Sequence, residues 1–209
     1  MYSEFVIFLQ SGGTFMYPIM IVFAFGLAIA FERYIYLSSV KRNNRKLLGK
    51  IVPLLNQKQY SEVQKITENS KVAICMMLSL GIERQQETDK REDVEMAMEE
   101  VMMETIPRLE KRTHYIAMFA NIATLLGLLG TITGLIKAFT AVAQVDPSLK
   151  AEILSSSISV AMNTTAFGLG VAIPLIIFFS MLQSITTEIV DSFEMATVKF
   201  SNLIMKNSK

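Results

Sequence analysis

The sequence predicts an all-α membrane protein: three transmembrane helices with long cytoplasmic helical extensions. Two observations carry this. The 209 residues are 51% hydrophobic and 19% charged, and the apolar residues sit in long blocks separated by one charged block instead of being spread as in a soluble domain. Of the 20 Lys and Arg residues, 14 fall between Lys41 and Arg112, an asymmetry that gives the blocks a sidedness. The formal net charge of +1 offers no basic surface for nucleic acid. A single cysteine, Cys75, cannot close an intramolecular disulfide and is expected to be a reduced, structural thiol.

In chain order, residues 1–14, broken at Ser11, Gly12 and Gly13, form a short periplasmic segment. The first transmembrane helix, 15–38, covers the run FMYPIMIVFAFGLAIAFERYIYL, long enough at ~1.5 Å per residue to cross about 30 Å of hydrocarbon. No basic segment precedes it and no small-residue cleavage site follows, so it does not read as a cleavable signal peptide. Residues 39–115 are read as a cytoplasmic helical domain, with helices broken at Pro53 and at the loop-like ENSK of 68–71. Its last part carries Val94, Ala97, Met98, Val101, Met102 and Thr105 at three- and four-residue spacing, which predicts one amphipathic helix running on into the second span. The second transmembrane helix is 116–143, the periplasmic loop 144–152 and the third transmembrane helix 153–185. The C-terminal helix, 186–209, keeps a stripe of Ile189, Phe193, Ala196, Phe200 and Ile204 that should face a protein partner. The Lys and Arg distribution puts the N-terminus outside and the C-terminus in the cytoplasm.

The two inner spans carry small and polar residues where lipid alone would ask for none. Thr124, Gly127, Thr131 and Gly134 share one face of the second span, and Gly130 adds another small position beside them. In the third span Ser157, Ala161, Thr164, Gly168 and Ala172 form one small seam, and Ser159, Asn163, Ala166 and Gly170 form a second beside it. Glycines let helices approach closely in lipid, and hydroxyls bond across or back to their own helix. Two seams on one helix imply contacts on both sides, as in a ring of like subunits. Pro174 cannot donate to the Gly170 carbonyl, and a buried unpaired Asn163 amide would cost about 2 kcal/mol or more. These residues therefore face protein or water, either as packing glue or as the lining of an ion path.

The stretch GLLGTITGLIKAF (127–139), followed after a short loop by ISVAMNTTAFGLGVAIPLIIF (158–178), resembles the paired signature of the MotA/TolQ/ExbB proton-channel family, its ExbB branch above all. The span order and the large cytoplasmic insert agree with it along the whole chain. The resemblance implies a subunit of an ion-driven motor in the bacterial inner membrane, five such chains surrounding the spans of two ExbD-like partners, with energy passing to a TonB-like protein that drives transport across the outer membrane. By position, Thr131 and Thr165 match the family's pore-facing threonines and would face a membrane aspartate of the partner. Many members carry a glutamate five residues before the third-span threonine, where this chain has Val160. With no acid in the interior of either inner span, any titrating carboxylate must come from the partner. The coupling ion is then H+ or Na+, and the oxygens of Thr131, Thr164, Thr165, Asn163 and the Gly170 carbonyl favour Na+. A TolQ-like envelope, gliding or secretion motor fits the same motifs, and a non-conducting membrane scaffold remains the reading from a different class.

Glu32 and Arg33 read as an interfacial pair at the inner end of the first span, Arg33 snorkelling, with a gating role as the alternative. Lys137 lies near the outer end of the second span, positioned for snorkelling or for an ion entrance. His114 reads as an ordinary interfacial residue. The methionines read as core filler, because no thiolate or histidine converges with them. There is no HExxH, GxSxG or P-loop, so no enzyme activity, cofactor or metal site is expected, and the working energy must come from an ion gradient.

Overall fold

The computed structural model describes residues 12–57, 59–68, 70, 72–88 and 90–205, with side chains through Leu203. The first eleven residues of the expected N-terminal segment, Asn69 and Lys71 in the 68–71 break, the Ile204 side chain and residues 206–209 lie outside that set. Among the described residues the structure is entirely helical: α1 (Met16–Asn56), α2 (Tyr60–Thr67), α3 (Ala73–Glu87), α4 (Arg91–Glu110), α5 (Thr113–Val142) and α6 (Lys150–Met205). Three helical stretches, Met16–Asn56, Arg91–Val142 and Lys150–Leu203, are long and apolar enough to cross a membrane.

The chain divides into two units, one of Met1–Glu32 with Arg112–Met181 and one of Arg33–Lys111 with Leu182–Lys209. In the first, α5 and α6 meet backbone to backbone. A Cβ on Gly168 would lie 2.7 Å from the Ala123 carbonyl oxygen and 3.0 Å from the Gly127 Cα, so neither glycine can carry a side chain without parting the helices. Ala123, Gly127 and Gly130 on α5 and Ala161, Thr164, Gly168 and Ala172 on α6 are all buried. The start of α1 packs on the same unit: a Cβ on Gly26 would fall 2.8 Å from Leu175, and the Phe31 and Phe178 rings lie 6.0 Å apart, tilted. Outward stand Ile21, Phe25, Leu125, Leu129, Ile132, Ile136, Phe139, Ile173 and Ile177, an apolar surface that suits lipid and not water.

The second unit has an ordinary hydrophobic core. Ile74, Met77, Leu78 and Ile82 of α3 and Val94 and Met98 of α4 are buried, as are Ile189, Phe193, Ala196 and Phe200 on the tail of α6. A Cβ on Gly81 would meet both Met98 and Phe200, which places the α6 stripe against the α3–α4 pair. Thr197 donates to the Phe193 carbonyl at 3.2 Å and lies 3.6 Å from the Met77 sulfur. Polarizable sulfur tolerates such an irregular polar contact where a branched side chain would not.

Three details differ from expectation. Pro53 does not break α1, which runs on to Asn56: the missing amide takes one bond from the Gly49 carbonyl, and the helix ends three residues later. Helix α4 does not run into α5: it ends at Glu110, and Arg112, just before α5, lies in the left-handed region at φ 68°, sparsely populated for a residue with a Cβ. Thr124 is exposed and bonds back to the Ala120 carbonyl at 3.1 Å, so the packed seam of α5 follows Ala123 instead.

Gly168→Ala should lower stability by about 1–3 kcal/mol through overpacking, read as a fall in melting temperature in detergent. Gly170→Ala, with nothing within 4 Å of its Cβ position, should stay within ~1 kcal/mol of the parent. Burial pushes the Cys75 thiol above its usual pKa, a hydrogen bond with Ser70 opposing it only in part. Maleimide should therefore label Cys75 slowly at neutral pH in the folded protein and rapidly in denaturant.

Candidate functional site

The glycine crossing of α5 and α6 brings two hydroxyls together. The hydroxyls of Thr131 and Thr165 hydrogen-bond each other, Thr165 lies 3.0 Å from the Gly127 carbonyl, and Thr131 lies 3.3 Å from both the Gly127 and Ala161 carbonyls. Each hydroxyl has one proton and two lone pairs. If Thr131 donates to Thr165, which then donates to Gly127, both protons are used, and the remaining lone pairs belong to a cluster of hydroxyl and carbonyl oxygens. Both threonines are half-buried, so the cluster is neither sealed nor fully open.

The other candidates do not converge there. Thr164 is 2% exposed and turns away from the pair: its hydroxyl is 2.5 Å from the Gly12 carbonyl and 3.0 Å from that of Val160, and its methyl fills the space that a side chain on Gly130 would take. It ties the N-terminal turn to α6. That turn depends on Gly13, whose φ of 75° a glycine adopts freely and whose carbonyl accepts from the Met16 amide at 3.3 Å. Asn163 is half-buried, and Ser159, Ala166 and Gly170 are exposed, so the second small seam of α6 is uncovered in a single chain. Pro174 lies inside α6 without ending it, and Gly134 packs against Ala161. Thr133 and Thr140 bond back to their own helix. Among the described residues no three His, Cys, Asp or Glu gather as they would to hold a metal ion.

Glu32 and Arg33, adjacent in sequence, have different partners. Glu32 lies 4.0 Å from Arg112, both side chains half-exposed, a contact worth little in water. Arg33 does not reach solvent: it is 4% exposed, its guanidinium sits 4.7 Å above the Tyr36 ring, and its Nη2 donates to the Leu109 carbonyl. Leu109 belongs to the last turn of α4, where carbonyls lack helical partners and the helix dipole is negative. Arg33 is therefore a helix cap reached from 76 residues away, a role no local spacing could have revealed. Lys137 is exposed on α5.

Residues 68–195 match the MotA/TolQ/ExbB proton channel family. Two proteins of Synechocystis sp. named as ExbB-like biopolymer transport proteins are similar to this chain. One is 24% identical over 84% of this chain and 83% of its own length, the other 27% identical over 87% and 72%. A biopolymer transport protein of Vibrio cholerae, exbB1, is 49% identical over 53 residues, 25% of this chain and 23% of its own.

Arg33→Ala should cost about 1.5–3 kcal/mol, since it removes a charged donor from a buried carbonyl. Arg33→Lys should recover only part of that, because an ammonium cannot both stack on Tyr36 and cap Leu109. Thermal unfolding of the two variants checks both.

Proposed function

Given that the chain belongs to the MotA/TolQ/ExbB proton channel family, we propose that its Thr131–Thr165 hydroxyl pair lines the ion path of a membrane motor built as a ring of these chains. As an ExbB-like, multi-pass membrane protein, the chain supports a proton-channel motor subunit; the ring, its partners and the coupling ion extend that reading. The observation that carries it is the hydroxyl pair, held at a glycine crossing in spans whose interiors contain no acid.

Neither threonine titrates near neutral pH, so the pair cannot relay protons by ionising. It can offer oxygens to an ion, or hydrogen bonds to a carboxylate that binds and releases one. The carboxylate comes from an ExbD-like single-span partner. The uncovered seam of Ser159, Ala166 and Gly170 suits close approach of a neighbouring subunit, and a pentamer around two partner spans is the arrangement favoured. The inner membrane, a periplasmic N-terminus, a cytoplasmic C-terminus and energy transfer to a TonB-like protein complete the reading. Its work is then done by a gradient worth about 2.3 kcal/mol per charge per 100 mV and not by a catalytic step. Na+ is preferred to H+ as the coupled ion because hydroxyl and carbonyl oxygens coordinate it without a proton step.

Thr131→Val and Thr165→Val keep the side-chain volume and remove the oxygens. Each should abolish gradient-driven work by the chain co-expressed with its single-span partner, while native mass spectrometry still finds the assembled complex. A loss of assembly with no separate loss of work would assign the crossing to a scaffold. If the ion is Na+, replacing it with choline at a fixed proton gradient should stop the work, and full activity in choline would assign the path to protons.

A further inference from the structure

Two surfaces of the second unit are complementary. The first is basic. Residues 41–50 of α1 carry Lys41, Arg42, Arg45, Lys46 and Lys50 and no acid. Lys41 pairs with Glu188, but Arg42, Arg45, Lys46 and Lys50 are exposed and make no ion pair among the described residues. Beside them runs a groove of about 450 Å³ lined by Lys41, Asn44, Arg45, Leu48, Glu188 and Met195 among others. Asn44 is 2% exposed, and neither its amide nitrogen nor its oxygen has a hydrogen-bond partner among the described residues. An unsatisfied buried amide marks a surface that something else completes.

The second surface is acidic. Helix α4 holds seven Asp and Glu against two Arg. Between α4 and the tail of α6 lies a groove of about 570 Å³, its rim carrying Glu95, Glu99 and Glu194 and its floor Met102, Met103, Ile106 and Val198. Arg91, also on the rim, is held by Glu95, which leaves Glu99 and Glu194 without an ion pair among the described residues. Met103 is 72% and Val198 51% exposed, so the floor is apolar and open.

The two grooves use different sides of α6. At ~100° per residue, the side with Glu188, Ser192 and Met195 and the side with Glu194, Thr197 and Val198 lie roughly 130° apart. A surface and its complement on opposite sides of one element cannot pair within a chain or by a two-fold axis through either groove. Pairing between copies would then run head to tail, the kind of interface that generates a ring where its rotation closes. We propose that the basic α1 face of one copy of this chain docks on the acidic, methionine-floored groove between α4 and α6 of the next copy. The aliphatic stems of the cations and the Leu48 and Met195 side chains meet the apolar floor, while the cationic heads meet Glu99 and Glu194. This deepens the ring reading above by naming the surfaces that meet.

The test uses the full-length chain in its membrane, in a Cys75→Ala background. A chain with both Lys46→Cys and Glu99→Cys should form a ladder of cross-linked oligomers with a short bismaleimide. Either substitution alone should give no cross-link, and a mixture of the two single variants should stop at dimers. Arg45→Glu with Lys46→Glu should lower the oligomer fraction roughly fivefold, as should Glu99→Lys with Glu194→Lys, and combining all four should restore it. Self-cross-linking of either single variant would overturn the head-to-tail pairing. So would a missing ladder in a sample that native mass spectrometry finds oligomeric, which would leave the ring standing on another interface. A monomeric parent chain would overturn the ring as well. If the charge reversals act only in nanodiscs containing phosphatidylglycerol and not in phosphatidylcholine alone, the cations serve anionic lipid and the pairing is overturned.

Discussion

The close backbone approach of α5 and α6 at Gly127 and Gly168 is the contact on which the candidate site depends. Lipid gives two helices no hydrophobic reason to meet, so their association rests on van der Waals contact and hydrogen bonds over a short distance. Both glycines are needed for that distance, since a Cβ on either would stand 3.0–3.3 Å from the Cα of the other. Once the backbones are that close, Thr165 can reach across to the Gly127 carbonyl and Thr131 to that of Ala161, and the two hydroxyls meet. The polar pair is thus a consequence of the apolar packing around it. A larger side chain at the crossing would lose both.

The two units are stabilised by different physics. At the α5–α6 crossing of the first, small residues face inward and large apolar residues such as Leu125, Leu129 and Ile132 face outward, the reverse of a water-soluble core. In the second, Met, Ile, Leu and Phe fill the interior and charges cover the outside, as water demands. Helices α1 and α6 serve both units, and α6 changes accordingly, from small-residue seams in its first stretch to the 3.6-residue stripe of Ile189, Phe193, Ala196 and Phe200 in its tail.

Much of this was legible in the sequence because it rests on local pattern. Long apolar runs gave three helices able to cross a membrane, and spacing gave the buried stripe of Ile189, Phe193, Ala196 and Phe200 and the small seam from Ala161 to Ala172. Where a pattern had two equivalent phases, reading failed. Thr124 and Ala123 are neighbours, either of which starts a four-residue series through Gly127 or Thr131, and burial chose Ala123. The relation of Thr131 to Thr165 came from family resemblance, because helix periodicity says nothing about register between helices. Thr164 and Thr165 are adjacent and equivalent in composition, yet 100° of helical rotation sends one to the Gly12 carbonyl and the other to Thr131. Arg33 is the plainest case. An arginine at the end of an apolar run suggests snorkelling, and only the fold places the Leu109 carbonyl where the guanidinium is.

The distribution of methionine has a chemical consequence. Met77 and Met98 are closed off in the core, and Met103 and Met195 are covered in the proposed ring, whereas Met96 stands open on α4. Oxidants reach the open thioether first, and a sulfoxide replaces an adaptable apolar group with a polar, chiral one. Mild oxidative stress would therefore roughen the outer surface of the second unit and spare its interior, and methionine sulfoxide reductases could reverse the change without the chain having to unfold.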